Sequence, residues 1–200
     1  MIQPEFLKKG DKIAIISTAR KISLEELKTS IKTFQNWGLE VILGPNLFKE
    51  DNQFAGTDSE RLSDLQWVLD SKEIKAAVCA RGGYGTTRFI DKLDFTEFKK
   101  NPKWICGFSD VTAIIGSINA IGIEAIHSTM PIFFDGKTSP ESIESLRKAL
   151  FGESIKYSSE PFHLNKYGNA EGEIVGGNLS ILNNIIGTKS DFDWSGKILF

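Results

Sequence analysis

Short apolar runs rich in β-branched residues alternate along this chain with segments of helical period, and that alternation constrains the fold more than any other feature. It reads as a doubly wound α/β fold, a mostly parallel sheet with helices on both faces. Lys12 to Ser17 (KIAIIS) is the first expected strand. Ser23 and Glu26 then form a capping box ahead of Leu24, Leu27, Ile31 and Phe34 at helical spacing, and Gly38 stops that helix. Leu39 to Leu43 reads as the second strand. Thr57 and Glu60 repeat the capping signature before Leu62, Leu65 and Leu69, and Ala76 to Ala80 is the third strand. After RGGYGTT and a short helix, Lys103 to Gly107 is a fourth strand. It feeds Ser109 and Asp110 into an apolar helix, Val111 to Ile121, and Ile123 to His127 is a fifth strand.

Composition agrees with a packed domain: 40% of the 200 residues are apolar and 25% charged, so disorder and fibrous repeats are poor readings. The 24 basic and 26 acidic residues leave a formal charge of −2, which disfavours a dedicated nucleic-acid binder. No apolar run approaches the roughly 20 residues of a membrane span, and MIQPEFLKKGDK lacks the order of a secretory signal. A cytoplasmic location is the default expectation. Cys79 and Cys106 sit in apolar runs without metal-ligand spacing and read as reduced core cysteines. With only His127 and His163 besides, a zinc site would be short of ligands.

The composition changes near residue 136. Residues 1–136 read as an N-terminal α/β domain, 137–169 as a helix (Glu141 to Leu150) and polar linker, and 170–200 as the opening of a second domain. There GEIVGGNLSILNNIIGT reads as strand, glycine turn and helix, and GKILF starts another strand. A chain ending inside an apolar strand leaves edge groups in want of partners. The expectation is the front part of a longer protein, with a homodimer as another way to cover that edge.

In an open parallel sheet, ligands bind along the edge where the strands' C-terminal ends emerge. Three segments fall there: Arg81 to Gly85, Gly107 to Asp110, and His127 to Pro131. RGGYG is either a plain turn or a cradle of backbone N–H groups for an oxyanion. GFSD places Ser109 at a sharp strand-to-helix turn, the arrangement of a nucleophile elbow with Val111 in place of the usual second glycine. Alternatively Ser109 or Asp110 simply caps the helix. His127 could reach Ser109 as a base, or be a hydrogen-bonded or cleft-lining histidine; His163 reads as solvent-facing.

RGGYGTTRFID, then KWICGFSDVTAI, then GEIVGGNLSILNNIIGT and GKILF together resemble the LD-carboxypeptidase family of serine peptidases, which includes murein tetrapeptide carboxypeptidases and microcin C self-immunity peptidases. The resemblance runs from KGDKIAIIS to Phe200. It implies a doubly wound N-terminal domain followed by a smaller, mostly β C-terminal domain. It implies that Ser109 is the nucleophile and that the amides of Gly83 and Asp110 form the oxyanion hole. Arg81 and Tyr84 would lie near substrate, where the arginine could pair with a carboxylate or serve packing instead. Asn178 of GGNLS would line the cleft from the second domain, or act as a turn or cap residue. His127 falls where the family has a histidine that is not the triad base, followed there by Gly-Pro and here by STMP. The family's triad glutamate and histidine lie beyond the ILF strand, outside these 200 residues, and a serine needs such a base to attack an amide.

The expectation is therefore a serine carboxypeptidase that releases D-alanine from murein peptides, with residues 1–200 by themselves inactive. The partners expected are a muropeptide or small peptide substrate, with neither nucleic acid nor membrane. Detoxification of a peptide-nucleotide antibiotic is a second reading. A non-catalytic muropeptide-binding module is a third.

Overall fold

Ile13, Ala14, Ile15 and Ile16 are wholly buried, because both faces of their strand are covered by helices. That strand, β1 (Lys12–Ile16), lies inside a five-stranded parallel sheet with β2 (Glu40–Leu43), β3 (Ile74–Cys79), β4 (Trp104–Gly107) and β5 (Ile126–His127). In the computed structural model, which describes residues 1–200, the strand order is β2-β1-β3-β4-β5. All four pairings are parallel. The order runs outward in one direction from β1 and in the other from β3, so the switch point of the doubly wound sheet lies between those two strands.

The helices form where the sequence signals them. Around α1 (Leu24–Asn36), Ser23 Oγ accepts the Glu26 N–H and Glu26 Oε2 accepts the Ser23 N–H at 2.9 Å. Around α2 (Asp58–Asp70), Thr57 and Glu60 make the same reciprocal pair, with the Thr57 N–H 2.8 Å from Glu60 Oε2. Each box satisfies N–H groups that the helix itself cannot. After α3 (Thr96–Lys100), the apolar helix α4 (Thr112–Ala120) buries nearly its whole circumference, and α5 (Pro140–Phe151) ends in a left-handed Gly152. Residues 153–171 carry no regular element and are exposed.

The fifth strand is shorter than its apolar run suggests. Ile123 is taken up by the N-terminal segment, which bridges to it through Ile2, with the Ile2 N–H on the Gly122 carbonyl at 2.7 Å. The second unit consists of β6 (Ile174–Val175), α6 (Leu179–Ile185) and β7 (Ile198–Leu199), with β6 and β7 paired in parallel. The terminal strand therefore finds a backbone partner: the Phe200 N–H donates to the Val175 carbonyl at 2.9 Å. α6 packs on α4, where Gly116 leaves room for Ile185 and where Ser117 and Ser190 hydroxyls meet at 2.7 Å. No helix is long and apolar enough to cross a membrane.

Two buried groups show how the layers are held. Cys79 and Cys106 are free thiols on adjacent strands, and burial pushes the Cys79 thiol up to about 12. Lys103, 1% exposed, turns its ammonium to the carbonyls of Val68, Leu69 and Ser71, which the last turn of α2 leaves without helical partners. Burial pushes Lys103 down from 10.5 to about 8.

Replacing Lys103 with Met orphans the Val68 and Leu69 carbonyls, while Ser71 keeps the Asn101 amide, and urea titration at pH 7 should show a loss of about 1–3 kcal/mol. Between pH 8 and 10.5 the unfolded chain keeps the proton that the folded chain has released. The stability this group contributes therefore rises with pH across that window, and the Met variant lacks that rise.

Candidate active site

The loops that leave the C-terminal ends of β1, β3, β4 and β5 converge on one edge of the sheet. After β4 the chain turns sharply through Phe108, whose backbone is extended, into Ser109, whose φ is +62°. A non-glycine residue in the left-handed region is strained, and it persists only where the surroundings hold it. Here β4 and α4 are both buried and separated by a single 3₁₀ turn, Ser109–Val111, so nothing nearby can relax. This is the geometry of a nucleophile elbow. Ser109 is half-buried, and its hydroxyl has no hydrogen-bond partner among residues 1–200.

The capping alternative for this turn does not describe it. Neither the 3₁₀ turn nor α4 has a side-chain cap. The Asp110 carboxylate instead crosses to the loop after β3, where Oδ2 accepts the Thr86 N–H at 3.0 Å. Asp110 is 1% exposed and its Oδ1 is without a partner. Below it, the Thr86 hydroxyl lies 3.2 Å from Thr18 Oγ1, so a buried polar layer joins the loops after β1, β3 and β4.

That layer fixes RGGYG against the serine. A side chain on Gly82 would bring its Cβ to 3.1 Å from Ser109 Cβ and 3.3 Å from Ser109 Oγ, so the serine would have to give by a few tenths of an ångström to admit one. Gly83, at φ +135°, donates its N–H to no protein group. An unpaired N–H on the residue after the glycine that packs against a strained serine is suited to receive an oxyanion.

The other expected residues are distributed around this centre. Arg81 donates to the Lys21 carbonyl at 3.1 Å and lies 3.9 Å from Glu26 Oε1, tying the loop to the start of α1. Tyr84 is 52% exposed, its ring 6.3 Å from that of Phe54. Asn178 is the N-cap of α6, Oδ1 accepting the Ile181 N–H at 3.2 Å. Its backbone N–H donates to Thr112 Oγ1 at 3.0 Å, one turn along from Ser109. His127 stands beside Gly107 in the β4–β5 ladder with its ring between those of Phe108 (6.0 Å) and Phe200 (5.1 Å). Its rim is exposed, yet the protein around it removes enough water to hold the imidazole below its ordinary pKa, so it is neutral at pH 7. A cavity of about 430 Å³ opens between Phe108, His127 and Lys137. His163 is exposed in the linker.

One group at this edge escapes sequence reasoning. Arg20, in the loop after β1, lays its side chain along Gly83: a Cβ there would be 2.6 Å from Arg20 Cγ. No group of three or more His, Cys, Asp or Glu side chains is placed to hold a metal.

Residues 13–128 match the model of the LD-carboxypeptidase N-terminal domain, and residues 171–200 match that of its C-terminal domain. The chain belongs to the LD-carboxypeptidase family. It is 36% identical, over 99% of its length, to a Bacillus subtilis protein named "Probable murein peptide carboxypeptidase", and spans 64% of that relative. Among solved structures, the muramoyltetrapeptide carboxypeptidase from Oxalobacter formigenes superposes with a TM-score of 0.83 at 29% identity, covering 94% of this chain and 64% of that one. An MccF-like protein from Bacillus anthracis gives 0.85 at 25% identity, covering 100% of this chain and 69% of that one. The α/β sheet with its small second sheet is the fold of these neighbours.

The strain at Ser109 is measurable. Glycine accepts a φ of +62° without a Cβ clash and alanine does not, so the Ser109→Gly protein should exceed Ser109→Ala in stability by about 1 kcal/mol in urea titrations.

Proposed function

We propose that Ser109 is the nucleophile of a carboxypeptidase that releases the terminal D-alanine of murein peptides. The observation that carries this reading is the strained Ser109 packed against Gly82 with the unpaired Gly83 N–H beside it. Ser109 Oγ attacks the carbonyl carbon that precedes D-alanine, and the carbonyl oxygen becomes an oxyanion. The N–H groups of Gly83 and Asp110 receive that charge; being fixed in place, they need no reorganisation as it develops. The C–N bond then breaks, D-alanine leaves as the free amine after taking a proton, and water hydrolyses the acyl-serine.

A serine hydroxyl is too weak an acid to react unaided. His127 is neutral and one strand away, but it makes no hydrogen bond to Ser109 and no carboxylate orients it. We assign the base instead to the family's C-terminal domain, whose glutamate and histidine are not among these residues. Turnover is expected of a chain that carries both, and not of residues 1–200 alone. Arg81, Tyr84, His127 and Asn178 then line the substrate cleft from both units. The murein substrate is preferred over a peptide-nucleotide because the 36% identity is to a relative named for murein peptides, against 25% to the MccF-like protein. This chemistry requires no metal or organic cofactor, and murein peptides from cell-wall turnover would place the protein in the cytoplasm.

The test is D-alanine release from a murein tetrapeptide by the protein as its complete gene encodes it. Release should fall at least about 10³-fold in Ser109→Ala with the fold retained, and a fluorophosphonate should label the native protein but not the variant. Unchanged release by Ser109→Ala would overturn the mechanism.

A further inference from the structure

A carboxypeptidase must recognise a free C-terminal carboxylate as well as cleave a bond, and the structure points to a residue for that task. We propose that Arg20 binds the terminal carboxylate of the peptide substrate. This assignment rests on the Ser109 reading above and adds to it the feature that selects the chain end.

The first support is position. In the order β2-β1-β3-β4-β5 the switch point lies between β1 and β3, and the crevice there is where sheets of this order take their ligands. Arg20 leaves β1 and Gly83 leaves β3, so the two flank that crevice. The Arg20 stem runs along Gly83, whose notional Cβ would be 2.6 Å from Arg20 Cγ and 2.9 Å from Cδ, while the preceding glycine touches Ser109. Ser109, the glycine pair and Arg20 therefore follow one another across the edge. In a bound peptide the carboxylate of the last residue lies only about one residue length, roughly 3.8 Å, beyond the scissile carbonyl. A carbonyl held at Ser109 and Gly83 would thus put its carboxylate within reach of the guanidinium.

The second support is charge. The chain has five arginines, and four of them are paired with carboxylates: Arg61 and Arg88 with Asp58, Arg81 with Glu26, and Arg147 with Glu144 and Glu153. Arg20 has no carboxylate partner; its one side-chain hydrogen bond is from Nη2 to the Gln53 side-chain oxygen at 3.4 Å. Of the acids nearby, Glu26 is committed to Arg81 and Glu50 to Lys21 at 2.5 Å, while Asp51, which bridges to Phe54 as Arg20 does, accepts from the Asn52 amide at 3.0 Å and makes no ion pair with Arg20. An exposed guanidinium with its fork open, beside a site built for peptides, matches a carboxylate bidentately. Arg81, the arginine that the glycine motif itself carries, is occupied by the Lys21 carbonyl.

The test compares a murein tetrapeptide bearing a free C-terminal carboxylate with its C-terminal amide. Binding is measured calorimetrically on the Ser109→Ala form of the complete protein, so that nothing is consumed. The free acid should bind about 10- to 100-fold more tightly than the amide. Arg20→Gln should abolish that preference by weakening the acid alone, and Arg20→Lys should restore part of it. Equal binding of the two peptides, binding of neither, or a preference that survives in Arg20→Gln would overturn the assignment. An acid preference that depends on Arg20, in a protein whose Ser109 form releases no D-alanine, would remove the catalytic reading and leave Arg20 as the carboxylate site.

Discussion

The hydrogen bond from the Thr86 N–H to the buried Asp110 carboxylate ties together the loops that leave the paired strands β3 and β4. Its energetic weight comes from where it lies. A carboxylate almost wholly removed from water, with one oxygen unpaired, is costly to maintain, and losing its single donor would cost more. The loop after β3 cannot drift from the turn after β4 without leaving that buried carboxyl group with no hydrogen-bond partner. The close approach of Gly82 to Ser109 and the seat of Arg20 against Gly83 both depend on this spacing.

Strain at Ser109 is the other side of the same arrangement. Ser109 has a left-handed backbone and its hydroxyl does not cap α4. The buried strand before it and the buried helix after it supply the packing that offsets the strain. The serine at this rigid turn is thereby placed by the hydrophobic core rather than by local hydrogen bonds.

Much of this was legible in the sequence, and the limits have physical causes. Both capping boxes could be read because their partners are three residues apart, and the inner strands could be read because burial on both faces leaves a continuous apolar run. The length of β5 could not, since Ile123 pairs with Ile2 from the far end of the domain. The sharp turn at Ser109 was visible in GFSD, whereas the destination of the Asp110 carboxylate depends on a residue in another loop. Arg20 was invisible for the same reason. Its neighbourhood is set by strand order, and nothing local to KIAIISTAR says that β3 will lie beside β1.

The two thiols behind this edge carry a consequence of their own. Cys79 and Cys106 are fully buried on neighbouring central strands, with both thiols held protonated by their surroundings. Alkylating reagents act on thiolates, so modification has to wait until the middle of the sheet comes apart. The chain thus carries a native chemical reporter: its rate of alkylation in the absence of denaturant records what fraction of molecules have the centre of the sheet open, and at reagent concentrations that outpace reclosing it records how often that centre opens.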